Sequence, residues 1–158
     1  MTEEVRWIAD EMLGKLARYL RFLGYDVRYA KDMKDGEILE AARAEGRIIL
    51  TRDELLARRG KARAFRLISP EIERQLSEVR RLFPTLRTEV QFLRCSLCNG
   101  NLVIADKSTP APPKGVPQNV WDTIHEVSIC TSCGHAYWEG THTEEIRQTL
   151  ARAFQDRP

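Results

Sequence analysis

Along the first ninety residues, short apolar runs alternate with stretches in which apolar side chains recur every three or four positions. Trp7-Ile8-Ala9 ends at Asp10, and Leu13, Leu16, Ala17, Leu20 and Leu23 follow at the spacing of an amphipathic helix, with Gly24 at its C-terminal cap. Val27-Arg28-Tyr29 reads as a second strand, and Ile38, Leu39, Ala41 and Ala42 open a helix that stops near Gly46. Ile48-Ile49-Leu50 is a continuous apolar run of the kind buried on both faces. Leu55-Leu56 begin a short helix, and Phe65-Arg66-Leu67-Ile68 make a fourth strand. Ser69-Pro70 has the form of a helix N-cap, followed by Ile72, Leu76, Val79 and Phe83 on one face until Pro84. The order βαβαβαβα predicts an α/β fold with a parallel sheet flanked by helices. Right-handed crossovers then gather the strand C-terminal ends along one edge, where such sheets bind ligands.

From Arg94 onward the texture changes. Two cysteine pairs frame a proline-rich loop (Pro110, Pro112, Pro113, Pro117), with β-leaning runs at 102–104 and 135–138 and a helical pattern of Ile146, Leu150 and Phe154. A boundary near 88–93 predicts two units, an α/β domain over 1–90 and a small cysteine-bearing unit with a C-terminal helix over 91–158. The chain is ordinary in composition, 42% hydrophobic and 30% charged, with a net charge of +2. The balance is +3 over 1–90 (19 Lys and Arg against 16 Asp and Glu) and −1 over 91–158 (6 against 7). No run approaches the roughly 18 apolar residues of a membrane span. Met1-Thr2-Glu3-Glu4 is acidic, unlike a signal peptide, so no membrane association and a cytoplasmic location are expected.

Cys95-Ser96-Leu97-Cys98 and Cys130-Thr131-Ser132-Cys133 are two C-x-x-C pairs, 31 residues apart, each followed by a glycine-containing turn. Tight turns let both thiolates of a pair reach one ion, and four thiolates suit a structural Zn²⁺ with no open position. The spacing fits a zinc ribbon carrying an inserted loop. Disulfides and a redox pair are the competing uses; a cytosolic setting disfavours the first, and a position outside the βαβ part disfavours the second.

Three aspartates fall at equivalent points of the α/β pattern: Asp10 after the first strand, Asp35 at the head of the second helix, and Asp53 after the third strand. Hard carboxylate oxygens clustered at one edge select Mg²⁺ or Mn²⁺, which can activate water against a phosphodiester. Aspartate is also a preferred N-cap, and both uses stay open on the sequence. Glu11 and Glu37 sit beside these positions as further ligand candidates or first-turn acids. Lys15, Arg18 and Arg52 are candidates for holding phosphates, and five of the nine residues from Arg58 to Arg66 are basic. No G-x-G-x-x-G, P-loop or G-x-S-x-G elbow is present, which argues against dinucleotide, nucleoside-triphosphate and serine-hydrolase chemistry.

The stretches Asp10-Glu11-Met12-Leu13-Gly14-Lys15-Leu16-Ala17-Arg18-Tyr19-Leu20-Arg21, Leu23-Gly24-Tyr25-Asp26 and Arg47-Ile48-Ile49-Leu50-Thr51-Arg52-Asp53, with the ending Tyr137-Trp138-Glu139-Gly140-Thr141-His142, resemble the Mut7-C ribonuclease family. The resemblance runs from about Trp7 to about Leu150. It implies a PIN-like α/β nuclease domain joined to a zinc ribbon, acting on RNA by metal-dependent cleavage at an acid cluster. Asp10 matches the first acid, Asp53 the acid of the T-R-D motif, and Asp35 the middle acid, with Glu37 as its competitor. His142 belongs to the family motif without an assigned physical role. The alternative from another class is a non-catalytic RNA-binding or ribosome-associated adaptor whose acids only cap helices.

Overall fold

The structure is a computed structural model that describes residues 3–155, so Met1 and Thr2 of the acidic opening lie outside the described residues. Four short strands form one parallel sheet: β1 (Trp7–Asp10), β2 (Val27–Ala30), β3 (Ile48–Thr51) and β4 (Ala64–Arg66), in the order β2-β1-β3-β4. The helices between and after them are α1 (Gly14–Phe22), α2 (Asp35–Glu45), α3 (Glu54–Gly60) and α4 (Ile72–Leu82). The parallel α/β reading is borne out.

Side-chain alternation along the central strand divides the core. Trp7 and Ala9 point to one face with Leu16, Ala17 and Leu20 of α1 and Leu76 and Val79 of α4. Ile8 points to the other face with Ile38 and Ala42 of α2 and Leu56 of α3. Every residue of β1 is buried, which is why it shows no polar alternation. Gly46 closes α2 in the left-handed region at φ 64, as the sequence predicts.

Two boundaries differ from expectation. The fourth strand ends at Arg66, and α4 starts at Ile72 with Glu71 as its N-cap, so Ser69 is not the cap. The Glu78 carboxylate accepts from the Ile68 and Ser69 N–H groups, and Gln75 donates to the Ser69 carbonyl. These bonds hold 68–70 as a loop folded back on the helix.

The cysteine-bearing part forms a second, antiparallel sheet of β5 (Leu102–Ile104), β6 (Ser128–Cys130) and β7 (Ala136–Tyr137). The inserted loop carries α5 (Gln118–Thr123), whose Trp121 packs with Val116 and Val127 in a small core of its own. The last helix, α6 (Thr141–Gln155), does not stay with this sheet: Ile146, Leu150 and Ala153 enter the same core as α1 and α4. The boundary near residue 90 therefore marks a change of texture along the chain, while the core of the α/β part is completed by residues beyond it. No described helix is long and apolar enough to cross a membrane.

A polar seam joins the first cysteine turn to the sheet. Arg21, 5% exposed, donates from Nε to the Val27 carbonyl (2.9 Å) and from Nη1 to the Ser96 carbonyl (3.0 Å). Asn99 accepts from the Val27 N–H at 3.0 Å and donates to Asp26 at 2.7 Å. Arg47 donates to the same carboxylate at 2.8 Å and to the Trp7 carbonyl at 3.1 Å. Burial alone would raise the Asp26 carboxyl, but the hydrogen bonds from Arg47 and Asn99 hold it below the usual carboxylate range.

The packing of α6 and the seam can each be tested by substitution. Leu150→Ala, at a 2% exposed position, is expected to cost about 2–5 kcal/mol in urea unfolding of the full chain, and a loss well under 1 kcal/mol would mean α6 is only loosely attached. Asp26→Asn is expected to cost roughly 1–3 kcal/mol at neutral pH. Because the folded carboxyl sits below its unfolded value of about 3.9, that stabilisation is full above pH ~4 and lost as pH falls through the folded value. A wild-type-to-variant gap that stays constant down to strong acid would show that the ion pair contributes nothing to this linkage.

Candidate functional site

Strand C-termini and the helix N-termini that follow them share one edge of the sheet, and β1 lies directly beside β3. Asp10, the last residue of β1, is 6% exposed. One of its oxygens accepts from the Met12 N–H at 3.0 Å, capping the short helical turn at 11–13. The other accepts from the Thr51 hydroxyl and from the Arg52 N–H at 3.3 Å. Thr51 is fully buried, and its hydroxyl oxygen in turn accepts from the Asp53 N–H at 2.9 Å. Asp53 accepts from the Leu56 N–H at 3.1 Å and caps α3. One hydroxyl thus ties the two acid-bearing turns together. The sequence places Thr51 within a motif without giving it a task; its signal is a hydroxyl at a buried strand end, two residues before an acid.

Asp35 is the first residue of α2, half-buried, with a carboxylate oxygen 3.8 Å from Arg59. Glu37 turns its carboxylate back to accept from the Lys34 N–H at 2.6 Å, so helix capping occupies the group named as Asp35's competitor. Glu11 is exposed, and its carbonyl accepts from the Tyr29 hydroxyl at 2.6 Å. Lys15 and Arg18 are exposed along α1. Lys15 shares a cleft of about 490 Å³ with Met12, Glu71 and Glu73, two acids that the sequence pattern shows only as the head of α4. Arg52 is half-buried beside Asp10, and its buried Nε has no hydrogen-bond partner among the described residues. Among the described residues, only the four cysteines gather their ligand atoms closely enough for one ion, so Asp10, Asp35 and Asp53 share an edge without converging on a point. His142 is exposed in the first turn of α6, its ring edge-to-face with Phe22 at 6.5 Å. Phe22 ends α1, so His142 lies toward the opposite end of that helix from Asp10.

The four cysteine sulfurs lie within 4.8 Å of one another. Cys95 and Cys133 are 3.6 Å apart and Cys98 and Cys130 3.4 Å, too far for disulfides, and all four thiols are free. A tetrahedron of about 2.3 Å Zn–S bonds has sulfur edges of about 3.8 Å, so the donor set could hold zinc. The chain is turned to serve these sulfurs. Gly100 N–H points at Cys98 Sγ, and Ser132 and Cys133 N–H point at Cys130 Sγ, each at 3.4 Å. Burial pushes the Cys130 thiol up, but those N–H donors bring it to about 7, while burial and the neighbouring thiols push Cys98 up to about 12. A bound cation reverses this opposition, because coordination favours the thiolate. Gly100 is required: a Cβ there would stand 2.8 Å from the Cys130 sulfur. The Tyr137 hydroxyl sits 3.0 Å from Cys95 Sγ and accepts from the Ser96 N–H at 3.0 Å. Burial and the hydrogen bond with Cys95 push its pKa up, which keeps the phenol a donor to sulfur.

Comparison with known proteins gives one family. A model described as the Mut7-C RNAse domain matches residues 5–150, nearly the whole chain. No curated protein matches, and no solved structure matches.

The cysteine geometry generates its own test. Protein purified without chelator is expected to carry about one zinc per chain by elemental analysis, and Cys98→Ser to carry much less. Zinc retention should weaken as pH falls, because each thiol must lose its proton to bind. Zinc-free protein with an unchanged fold would overturn the assignment.

Proposed function

The chain belongs to the Mut7-C RNAse domain family, and from that premise we propose that it is a metal-dependent ribonuclease whose chemistry is carried by Asp10, Asp35 and Asp53. The observation that supports this most is the treatment of Asp10. A helix cap needs one carboxylate oxygen, yet the second oxygen is also fixed, by the Thr51 hydroxyl and the Arg52 N–H, in a nearly buried position. Burying a carboxylate costs free energy unless hydrogen bonds compensate, so its placement at the open edge is a specific arrangement.

The donor set at this edge is all oxygen, without sulfur or imidazole, and fits a hard divalent cation. Mg²⁺ keeps several waters and takes one or two carboxylates together with substrate phosphate, so the acids need not converge in the free protein. Held by Asp10, Asp35 and Asp53, Mg²⁺ or Mn²⁺ would supply Lewis-acid stabilisation and an activated water. The chain's own groups do the rest. Asp10 and Asp53 keep their positions through Thr51, and Asp35 approaches from the head of α2. Arg52, with its unpartnered Nε, and Lys15 and Arg18 along α1 offset phosphate charge in the ground and transition states. Attack by water with the 3′-oxygen leaving yields a 5′-phosphate and a 3′-hydroxyl. The ribbon's metal is structural in this reading.

Asp10→Asn and Asp53→Asn separate catalysis from capping, since asparagine retains the cap. Each is expected to lower cleavage of mixed RNA in Mg²⁺ or Mn²⁺ by about 100-fold or more, near 3 kcal/mol of lost transition-state stabilisation. Stability should fall by about 1 kcal/mol in Asp53→Asn and by roughly 1–3 kcal/mol in Asp10→Asn, whose amide nitrogen would face the Arg52 N–H, so folding is checked alongside cleavage. Cleavage undiminished in both variants, or in excess EDTA, would overturn this assignment, and wild-type protein that cleaves no RNA would leave the adaptor reading in its place.

A further inference from the structure

Below the acidic edge, a groove of about 520 Å³ runs between α2 and the end of α3, with Ile49 of β3 as its floor. It begins at Gly36, next to Asp35, and reaches Arg43, seven residues and about 10 Å further along α2. Arg43 stands on one wall and Arg59, Lys61 and Arg63 on the other, against a single lining acid, Glu40. Glu40 is taken up by Arg43, and Arg59 reaches back to Asp35 at 3.8 Å. Among the described residues, Lys61 and Arg63 have no carboxylate within ion-pair reach. Like charges facing one another across a groove repel, and for Lys61 and Arg63 no carboxylate among the described residues offsets them.

The backbone that presents these cations is itself unusual. After α3 the chain turns so tightly that a Cβ at Gly60 would lie 2.4 Å from Ala64 Cβ. Lys61 then takes φ 53 with ψ −130, a positive-φ backbone conformation that L side chains rarely adopt and that strains a lysine. The strained turn places Lys61 and Arg63 beside α2, opposite Arg43.

We propose that this groove is a second phosphate-binding surface, over which an RNA backbone continues from the acidic edge across the α2–α3 face. The inference rests on the ribonuclease reading for its ligand. Three features favour RNA over a small anion: the cations are strung along the groove, they stand on both walls, and the groove opens at the proposed cleavage edge. A basic groove that tracks the backbone is how single strands are held away from a reacting phosphate.

The test is RNA binding by the full chain in excess EDTA, so that it does not depend on cleavage. Fluorescein-labelled RNAs of about 4 and about 20 nucleotides would be followed by anisotropy across a salt series. Lys61→Glu with Arg63→Glu is expected to weaken the long RNA by about 10-fold or more and leave the short one unchanged. The slope of log K against log salt should shrink by about 0.7 for each phosphate that the protein no longer neutralises. Arg43→Glu, on the opposite wall, should act the same way, which guards against a folding defect at the strained turn. Lys61→Arg with Arg63→Lys should retain binding. Unchanged long-RNA affinity in both charge-reversed proteins, as expected if the groove instead took an acidic protein, would overturn the proposal. So would equal losses for both RNA lengths, or wild-type protein that binds neither. Failure of the ribonuclease reading is seen separately, as cleavage that persists in Asp10→Asn.

Discussion

The guanidinium of Arg21 sits where the two halves of the molecule meet, with carbonyls from both around it. Nε bonds the first residue of β2, and Nη1 bonds the turn that holds Cys95 and Cys98. A buried cation is tolerated only when its donors are satisfied, and here one acceptor lies 75 residues away in sequence. The arrangement therefore works only if the cysteine turn has its proper shape, which is what the four sulfurs and their N–H donors set. Asn99, in the left-handed region at φ 69, completes the seam by bonding the β2 backbone and Asp26 together. The order of the ribbon and the placement of β2 are in this sense one property.

That seam also fixes a polarity. Arg21, Asp26 and Asn99 meet where α1 ends and β2 begins, while Asp10, Asp35 and Asp53 occupy the edge where β1, β2 and β3 end. The cysteine site thus braces the sheet from behind. It leaves the acidic edge open, and contributes none of the side chains that stand there.

Much of this is legible from periodicity. The run from Leu13 to Leu23 gives α1, the apolar triplets give the central strands, and adjacent β1 and β3 bring Asp10 close to the Asp53 turn. What stays hidden depends on groups distant in sequence. Nothing in the spacing of Ile146, Leu150 and Ala153 says that α4 is the surface they cover. The start of α4 departs from expectation because Ser69-Pro70 has the local chemistry of a cap, while Glu78 and Gln75 hold that stretch as a loop. β6 is only three residues long and one of them is Cys130, so its strand character is masked by its metal-ligand spacing. The role of Thr51 is invisible because a hydroxyl's worth depends on which two backbones it stands between.

The return of α6 to the first core has a consequence for how the protein is made. As the chain emerges from the ribosome at roughly 5–20 residues per second, all four strands of the parallel sheet are available well before α6 exists. Until residues 146–153 arrive, the core shared by α1 and α4 lacks its outermost helix, and the pairing that completes it spans the intervening residues 83–140. The whole ribbon must be synthesised inside that interval. A nascent chain of this design carries an open apolar face for as long as residues 83–140 take to be made, and that face can close only after both cysteine turns have been synthesised.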